Sequence, residues 1–233
     1  MIRNLIFSIS FFTGIIIISL FFLPALFLPR RIVLYGGKLM GYWSGFCVKF
    51  FLSNQIEIKG KENLIKNKKF FIAASHQSMF ETFYLQTIFK SPVFILKKEL
   101  LWIPIFGWYL KKIGSISIKR NQVTKDNLGF FDHISKIANQ SDRPLIIFPQ
   151  GTRVLPNERP PFKKGAFRIY EKLNIVCQPI AINSGYVWPK KGFKKGNKDI
   201  VISILKPIPA GLDRENFIQI LEKAIYSELD TLD

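Results

Sequence analysis

Residues 5–29, LIFSISFFTGIIIISLFFLPALFLP, carry no charged side chain. Such a run has no polar face to turn toward water, so it demands an apolar surrounding on every side. As one helix it would measure about 37 Å, against about 30 Å for the hydrocarbon core of a bilayer. The stretch therefore predicts a transmembrane helix over 5–29, long enough to cross with some tilt. A secretory signal peptide is the alternative, but its apolar core is shorter, and no small-x-small cleavage site precedes Arg30. Arg3 alone precedes the run, whereas Arg30, Arg31, Lys38 and Lys49 follow it. The positive-inside rule then puts the rest of the chain in the cytoplasm.

A second apolar stretch covers residues 32–52. Lys38 and Lys49 interrupt it, and Gly36, Gly37, Gly41 and Gly45 are spaced through it. It reads as an interfacial helix with Tyr35, Tyr42 and Trp43 at the headgroup level, or as a second span. The expected division is a membrane anchor over 1–54 and one folded domain over 55–233.

Composition agrees with an anchored, basic protein. The 233 residues hold 34 Lys and Arg against 16 Asp and Glu, a formal charge of +18, yet 48% are hydrophobic and the mean hydropathy is +0.16. A disordered basic tail would be poor in apolar residues. Two cysteines, Cys47 and Cys177, are too few for a disulfide scaffold or a zinc finger. Two histidines, His76 and His133, leave little scope for a histidine-rich metal site, and no ligand spacing suggests a metal.

From residue 55 onward, short runs rich in Ile, Val and Phe alternate with helical stretches. Strands are expected over 55–59, 69–74, 93–97, 115–119, 145–148, 176–182 and 200–205. Helices are expected over 80–89, 99–111, 125–139 (after Thr124 as N-cap), 164–173 and 214–229. In the last, Phe217, Ile220, Leu221, Ala224 and Ile225 share one face. This alternation predicts an α/β fold, a mixed, largely parallel sheet flanked by helices.

Two motifs carry chemistry. The apolar strand FFIAA ends just before Ser75-His76-Gln77-Ser78-Met79-Phe80-Glu81. That puts His76 outside the carboxyl end of a strand, where α/β folds hold reactive groups. Within one helix His76 and Glu81 would point about 140° apart, so they meet only if His76 precedes the helix and Glu81 opens it. A carboxylate on one ring nitrogen raises the basicity of the other, which can then deprotonate a hydroxyl. The second motif, Phe148-Pro149-Gln150-Gly151-Thr152-Arg153, follows the apolar run LIIFP. Gly151 permits a tight backbone, Thr152 offers a hydroxyl, and Arg153 carries a planar cation suited to phosphate.

Taken with two further blocks, these motifs resemble the glycerolipid acyltransferase family, which includes the lysophosphatidate acyltransferases. His76 and Glu81 match its His-x-x-x-x-Asp block. Gly114 to Arg120 match a block of Gly, apolar residues and Arg. Phe148 to Arg153 match Phe-Pro-Glu-Gly-Thr-Arg, and 176–181 match an apolar strand with a Pro. The run 97–104 is also similar, and the resemblance covers 55 to about 205. This chain departs from the pattern at Glu81, usually Asp, and at Gln150, usually Glu. The carboxylate gains a methylene in the first case. In the second a charge is lost and an acceptor kept.

The resemblance implies a glycerolphosphate acyltransferase-like fold with a membrane-associated amino terminus, on the cytoplasmic side of a bacterial inner membrane. It implies acyl transfer from a thioester, acyl-CoA or acyl carrier protein, to the sn-2 hydroxyl of a lysophospholipid, in phospholipid biosynthesis. His76 would be the base and Glu81 its orienter. Arg120, Gln150, Gly151, Thr152 and Arg153 would bind the substrate, with no metal or bound cofactor. Expected partners are the lysophospholipid, the thioester carrier and membrane lipids, and not nucleic acid. Two alternatives remain: a sister enzyme with glycerol 3-phosphate or a lyso-ornithine lipid as acceptor, and an inactive lipid-binding protein. The aromatic run Trp102, Ile103, Ile105, Phe106, Trp108 and Tyr109 has three readings: it guides an acyl chain, dips into the bilayer, or fills a helix core. Lys163, Lys164, Lys190, Lys191, Lys194 and Lys195 read as a solvated face.

Overall fold

The computed structural model describes residues 2–118, 128–194, 196 and 198–232. The described residues include seven strands and seven α-helices. The strands are β1 (Ile56–Lys59), β2 (Phe70–Ala74), β3 (Val93–Lys97), β4 (Ile116–Ile118), β5 (Leu145–Ile147), β6 (Val176–Ile182) and β7 (Ile200–Ile204). The helices are α1 (Ile2–Phe21), α2 (Arg30–Leu52), α3 (Phe80–Ile88), α4 (Phe106–Lys112), α5 (Leu128–Gln140), α6 (Lys164–Leu173) and α7 (Arg214–Leu232). Pairs β1–β7, β2–β6 and β3–β4 are parallel and β6–β7 is antiparallel, so the pairing is mixed and mostly parallel. This is the fold class expected from the alternating pattern.

The chain forms two compact units, neither continuous in sequence. One is Met1–Phe51 with Thr82–Leu145, and the other is Leu52–Glu81 with Ile146–Asp233. In the second, four strands follow the order β1-β7-β6-β2. Phe71 of β2 meets Tyr170 of α6, and the Ser203 hydroxyl of β7 donates to Glu228 of α7, so these helices cover that face of the sheet. Ile72, Ile180, Ile182 and Ile202 are buried on the opposite face. One stripe of α7, Phe217, Leu221, Ile225 and Leu229, is buried. Ile220, expected on that stripe, is exposed instead, because the buried face repeats every four residues and skips it. Tyr170 of α6 stacks on Phe217 at 3.8 Å between ring centres.

In the first unit, α1 ends earlier than the apolar run does. The helix expected over 5–29 stops at Phe21, and a 3₁₀ turn, Leu23–Phe27, follows. Pro24 explains the break: it has no N–H to donate, and its ring clashes with the carbonyl four residues back. The 20 residues of α1 still span about 30 Å. Among the described residues, α1 is the one helix long and apolar enough to cross a membrane. The second stretch is one unbroken helix despite its glycines. It runs antiparallel to α1: the Arg3 guanidinium donates to the Phe51 carbonyl, and the Trp43 indole N–H donates to the Phe11 carbonyl at 3.2 Å. The Trp43 ring lies where a side chain at Gly14 would stand, 2.1 Å from a Cβ there, so only glycine lets the helices approach.

The helix expected over 99–111 is two pieces, a 3₁₀ turn Lys98–Trp102 and then α4. Pro104 again cannot donate, and Ile105 turns the chain at φ +63°. Arg143 fastens the same unit. Its guanidinium donates to the carbonyls of Ser91, Pro92 and Ile113, and burial beside the Arg30 charge pulls its pKa down to about 10. Thr124, the expected cap, lies outside the described residues.

Candidate active site

Parallel pairing of β2 with β6 sends both carboxyl ends the same way. Ser75 extends the pair: its N–H donates to the Ile180 carbonyl, and its hydroxyl both donates to the Ile182 carbonyl and accepts from the Ile182 N–H. His76 comes next, in the turn before α3, and Glu81 opens that helix. His76 Nδ1 lies 3.7 Å from Glu81 Oε2. The placement that five-residue spacing required is therefore met, although the pair stops short of a hydrogen bond. Nδ1 is buried with no hydrogen-bond partner, while 12% of the side chain stays exposed, so access to the ring lies away from Nδ1. The ring stacks on Phe148 at 4.0 Å and 18°.

Glu81 is fully buried, and several donors hold its carboxylate, most of them on Oε1. It accepts the N–H groups of Gln77 and Ser78 and the Ser184 hydroxyl at 2.6 Å. Ser78 in turn accepts the Phe80 N–H on its hydroxyl. Ser78 and Glu81 thus form a capping box on α3, with Ser184 added from the end of β6. The Ser-x-x-Glu spacing is an N-terminal helix signal, passed over when the motif is read for His76 and Glu81 alone. Ser184 gave no such signal, since it stands 103 positions from Glu81 and reaches it only through sheet pairing. Asn183 anchors that end by accepting the Val201 N–H from β7.

The turn after β5 clamps His76 from the other side. Gln150 Oε1 accepts the His76 N–H at 2.7 Å, and the His76 carbonyl accepts the Val154 N–H at 2.9 Å. Gln150 thus acts as an acceptor for backbone, a task its amide performs without a charge. Gly151 sits at φ +73° and donates to the Phe148 carbonyl, which closes the turn. Thr152 is exposed. Arg153 is half-buried and has no carboxylate within ion-pair distance among the described residues. Lys190 donates to the Arg153 carbonyl, and the Lys163 stem passes 3.1 Å from the Cβ position of Gly151. Two lysines read as a solvated face therefore gather on this turn beside Arg153, leaving it strongly cationic.

The site's surroundings hold other groups in their neutral forms. Burial pushes the Cys177 thiol of β6 well above its usual range. Burial also raises Tyr226 to about 12; its hydroxyl donates to the Pro160 carbonyl, with Gln150 alongside. Arg120 lies outside the described residues. Among the described residues, no three His, Cys, Asp or Glu side chains come together as a metal site.

Residues 55–183 match the family model described as Acyltransferase. The chain belongs to the Acyltransferase family. The match spans both motifs around His76 and Gln150. A Pseudomonas aeruginosa protein named 1-acyl-sn-glycerol-3-phosphate acyltransferase is 35% identical, over 63% of this chain and 57% of its own length. A Saccharomyces cerevisiae protein of the same name is 31% identical, over 79% of this chain and 62% of its own. The chain thus spans about three-fifths of these relatives. The crystal structure of the 1-acyl-sn-glycerophosphate acyltransferase PlsC from Thermotoga maritima superposes with a TM-score of 0.81, covering 99% of this chain and 96% of that one. At 22% identity, that likeness is one of fold.

Proposed function

We propose that the chain is a 1-acyl-sn-glycerol-3-phosphate acyltransferase, moving a fatty acyl group from a thioester to the sn-2 hydroxyl of lysophosphatidate. The observation that carries the reading is the buried Glu81 carboxylate, held by backbone N–H groups and Ser184, with its Oε2 facing His76 Nδ1. The relatives' names supply the substrate class. His76 takes the hydroxyl proton as the oxygen attacks the thioester carbonyl. A C–O bond forms, the C–S bond breaks, and the thiolate leaves. A thiol pKa near 8.5 makes that departure easy, and His76 returns its proton to the thiolate. Glu81 orients the ring and stabilises its cationic form; a small ring rotation would close the 3.7 Å gap in the substrate complex. Arg153 and Arg120 hold the acceptor phosphate, and the turn through Gln150, Gly151 and Thr152 positions Arg153. The reaction so written needs no metal or bound cofactor. Acyl-CoA and acyl carrier protein both fit a cationic surface.

The same reading puts the protein on a membrane. Ile9, Phe12, Ile16 and Leu20 of α1 and Tyr35, Tyr42, Phe46 and Phe50 of α2 are exposed. On the packed side, Phe11 meets Phe83 of α3 at 5.5 Å, and Ser19 accepts the Tyr109 hydroxyl. Protein therefore lines one side of α1 along its length, which favours a helix pair resting in the bilayer by its apolar face. The anionic cytoplasmic leaflet of a bacterial inner membrane suits the net charge of +18.

The test is acyl transfer by purified protein. Labelled lysophosphatidate is offered with acyl-CoA or acyl carrier protein thioester. His76→Ala should lower kcat by about 10²–10⁴, and Arg153→Ala should mainly raise the lysophosphatidate KM. Product formed equally well by His76→Ala would overturn the mechanism. Turnover of glycerol 3-phosphate or a lyso-ornithine lipid instead would reassign the acceptor.

A further inference from the structure

Three large apolar side chains stand out of the first unit within seven residues. Trp102 is 80% exposed, Trp108 53% and Ile103 45%. Scattered exposed apolar residues are ordinary, but two indoles and an isoleucine on one short segment form a patch that calls for a partner. The backbone is built to show them. Ile105, a β-branched residue, is held at φ +63°, so the chain doubles back between the 3₁₀ turn and α4. That bend buries Tyr109 and Leu110 and leaves Trp102, Ile103 and Trp108 outside.

The segment is also fastened to the end of α1. The Tyr109 hydroxyl donates to the Ser19 carbonyl at 2.5 Å. Tyr109 shares a buried cluster with Phe22, Ala25 and Val33, against which Ile105 packs. Phe21 and Phe27, on the chain beside that cluster, are 77% and 91% exposed. Cations flank the patch at Lys97, Lys98, Lys111 and Lys112.

We propose that residues 102–108 form a second lipid-contacting element, with both indoles at the headgroup level of an anionic phospholipid bilayer and the flanking lysines on its phosphates. Indoles favour this depth because the ring is apolar and its N–H needs a polar partner. The lysines complement anionic headgroups, which neither a second copy of this basic chain nor a lone acyl chain supplies. The proposal rests on the membrane reading above for α1 and α2.

Nitroxide labels test it. Cys47 and Cys177 are both fully buried, so Trp102→Cys and Trp108→Cys each offer one reactive site on the full chain. Lys136→Cys, at an exposed position of α5, is the control. The labelled proteins are floated with vesicles of phosphatidylcholine and phosphatidylglycerol. Collisions are then measured with oxygen, which partitions into lipid, and with a water-soluble nickel chelate. The oxygen-to-nickel ratio at 102 and 108 is expected several-fold above that at 136, and lower on phosphatidylcholine alone. Protein that floats with ratios equal at all three sites overturns this proposal alone. Protein that does not float overturns the membrane reading with it. Spin–spin broadening at 102 on vesicles, without the raised ratio, would assign the patch to a second copy and also overturn the proposal. Equal ratios on the two vesicle types would overturn the role of the lysines.

Discussion

Glu81 sits fully buried with the Gln77 and Ser78 N–H groups and the Ser184 hydroxyl on its carboxylate, whereas α1 and α2 meet through a glycine lying under an indole. The first region spends polar groups to keep one charge out of water. The second has few polar contacts, from Arg3 to the Phe51 carbonyl and from the Trp43 indole N–H to the Phe11 carbonyl, and relies mainly on close approach. A buried charge is tolerated only while its donors stay in place, since an isolated carboxylate in an apolar interior costs several kcal/mol. An apolar helix pair is tolerated only while the surfaces fit. Small changes should therefore damage both regions, for opposite reasons.

The largest effect is expected at Glu81. Glu81→Ala strands two N–H donors and a hydroxyl, and a loss of about 3 kcal/mol follows; urea denaturation measures it. Glu81→Gln keeps an acceptor and should recover part of that stability while activity stays low. Equal stability of Glu81→Ala and wild type would show that the polar cluster carries no structural load. Gly14→Ala sharpens the other side of the comparison. Its Cβ would meet the Trp43 ring at 2.1 Å. The indole must swing away and release the Phe11 carbonyl, at a cost of about 1–3 kcal/mol. A Trp43 emission spectrum unchanged by the substitution would break the comparison, because the pair would then tolerate looseness.

Ser184→Ala is expected to cost about 1–2 kcal/mol and to lower kcat while the acceptor KM holds. Ser184→Thr retains the hydroxyl and should restore kcat. A stability loss with an unmoved kcat would make Ser184 a structural residue only. The smallest effect concerns Tyr226, which lies beside Gln150. Its folded pKa, about 12, exceeds the ordinary value of 10.0 because burial disfavours the phenolate. The neutral form stabilises the fold below pH 10, and that contribution is lost as pH rises from 10 through about 12. Tyr226→Phe should flatten this part of the denaturation-versus-pH curve.

Legibility differed between the two regions. His76 and Glu81 were readable because a strand boundary and a five-residue gap are local facts. At Gln150 the sequence showed only a charge lost and an acceptor kept, and the folded turn showed what that acceptor does, with its Oε1 on the His76 N–H. Lys163 and Lys190 looked like ordinary surface charges, since nothing in 150–195 announces which of them folds back on residues 150–153. In the first unit, Pro24 and Pro104 stood in plain view as helix breakers, but the apolar periodicity around them outweighed them. The stretch 32–52 read as one helix, interfacial or spanning, with glycines spaced through it. The structure keeps that helix whole, because its glycines can face neighbouring helices instead of ending it.

The amino-acid order by itself determined the alternating elements, the apolar amino terminus and the two chemical motifs, because each follows from side chains a few residues apart. The tertiary structure decided what surrounds them. Ser184 reaches Glu81 only because β2 and β6 run parallel and end together. Trp102 and Trp108 stay outside only because Ile105 bends the chain and Tyr109 ties it to Ser19. Hydrogen bonding and packing act across whatever the fold brings within a few ångströms, and separation along the chain does not report that distance.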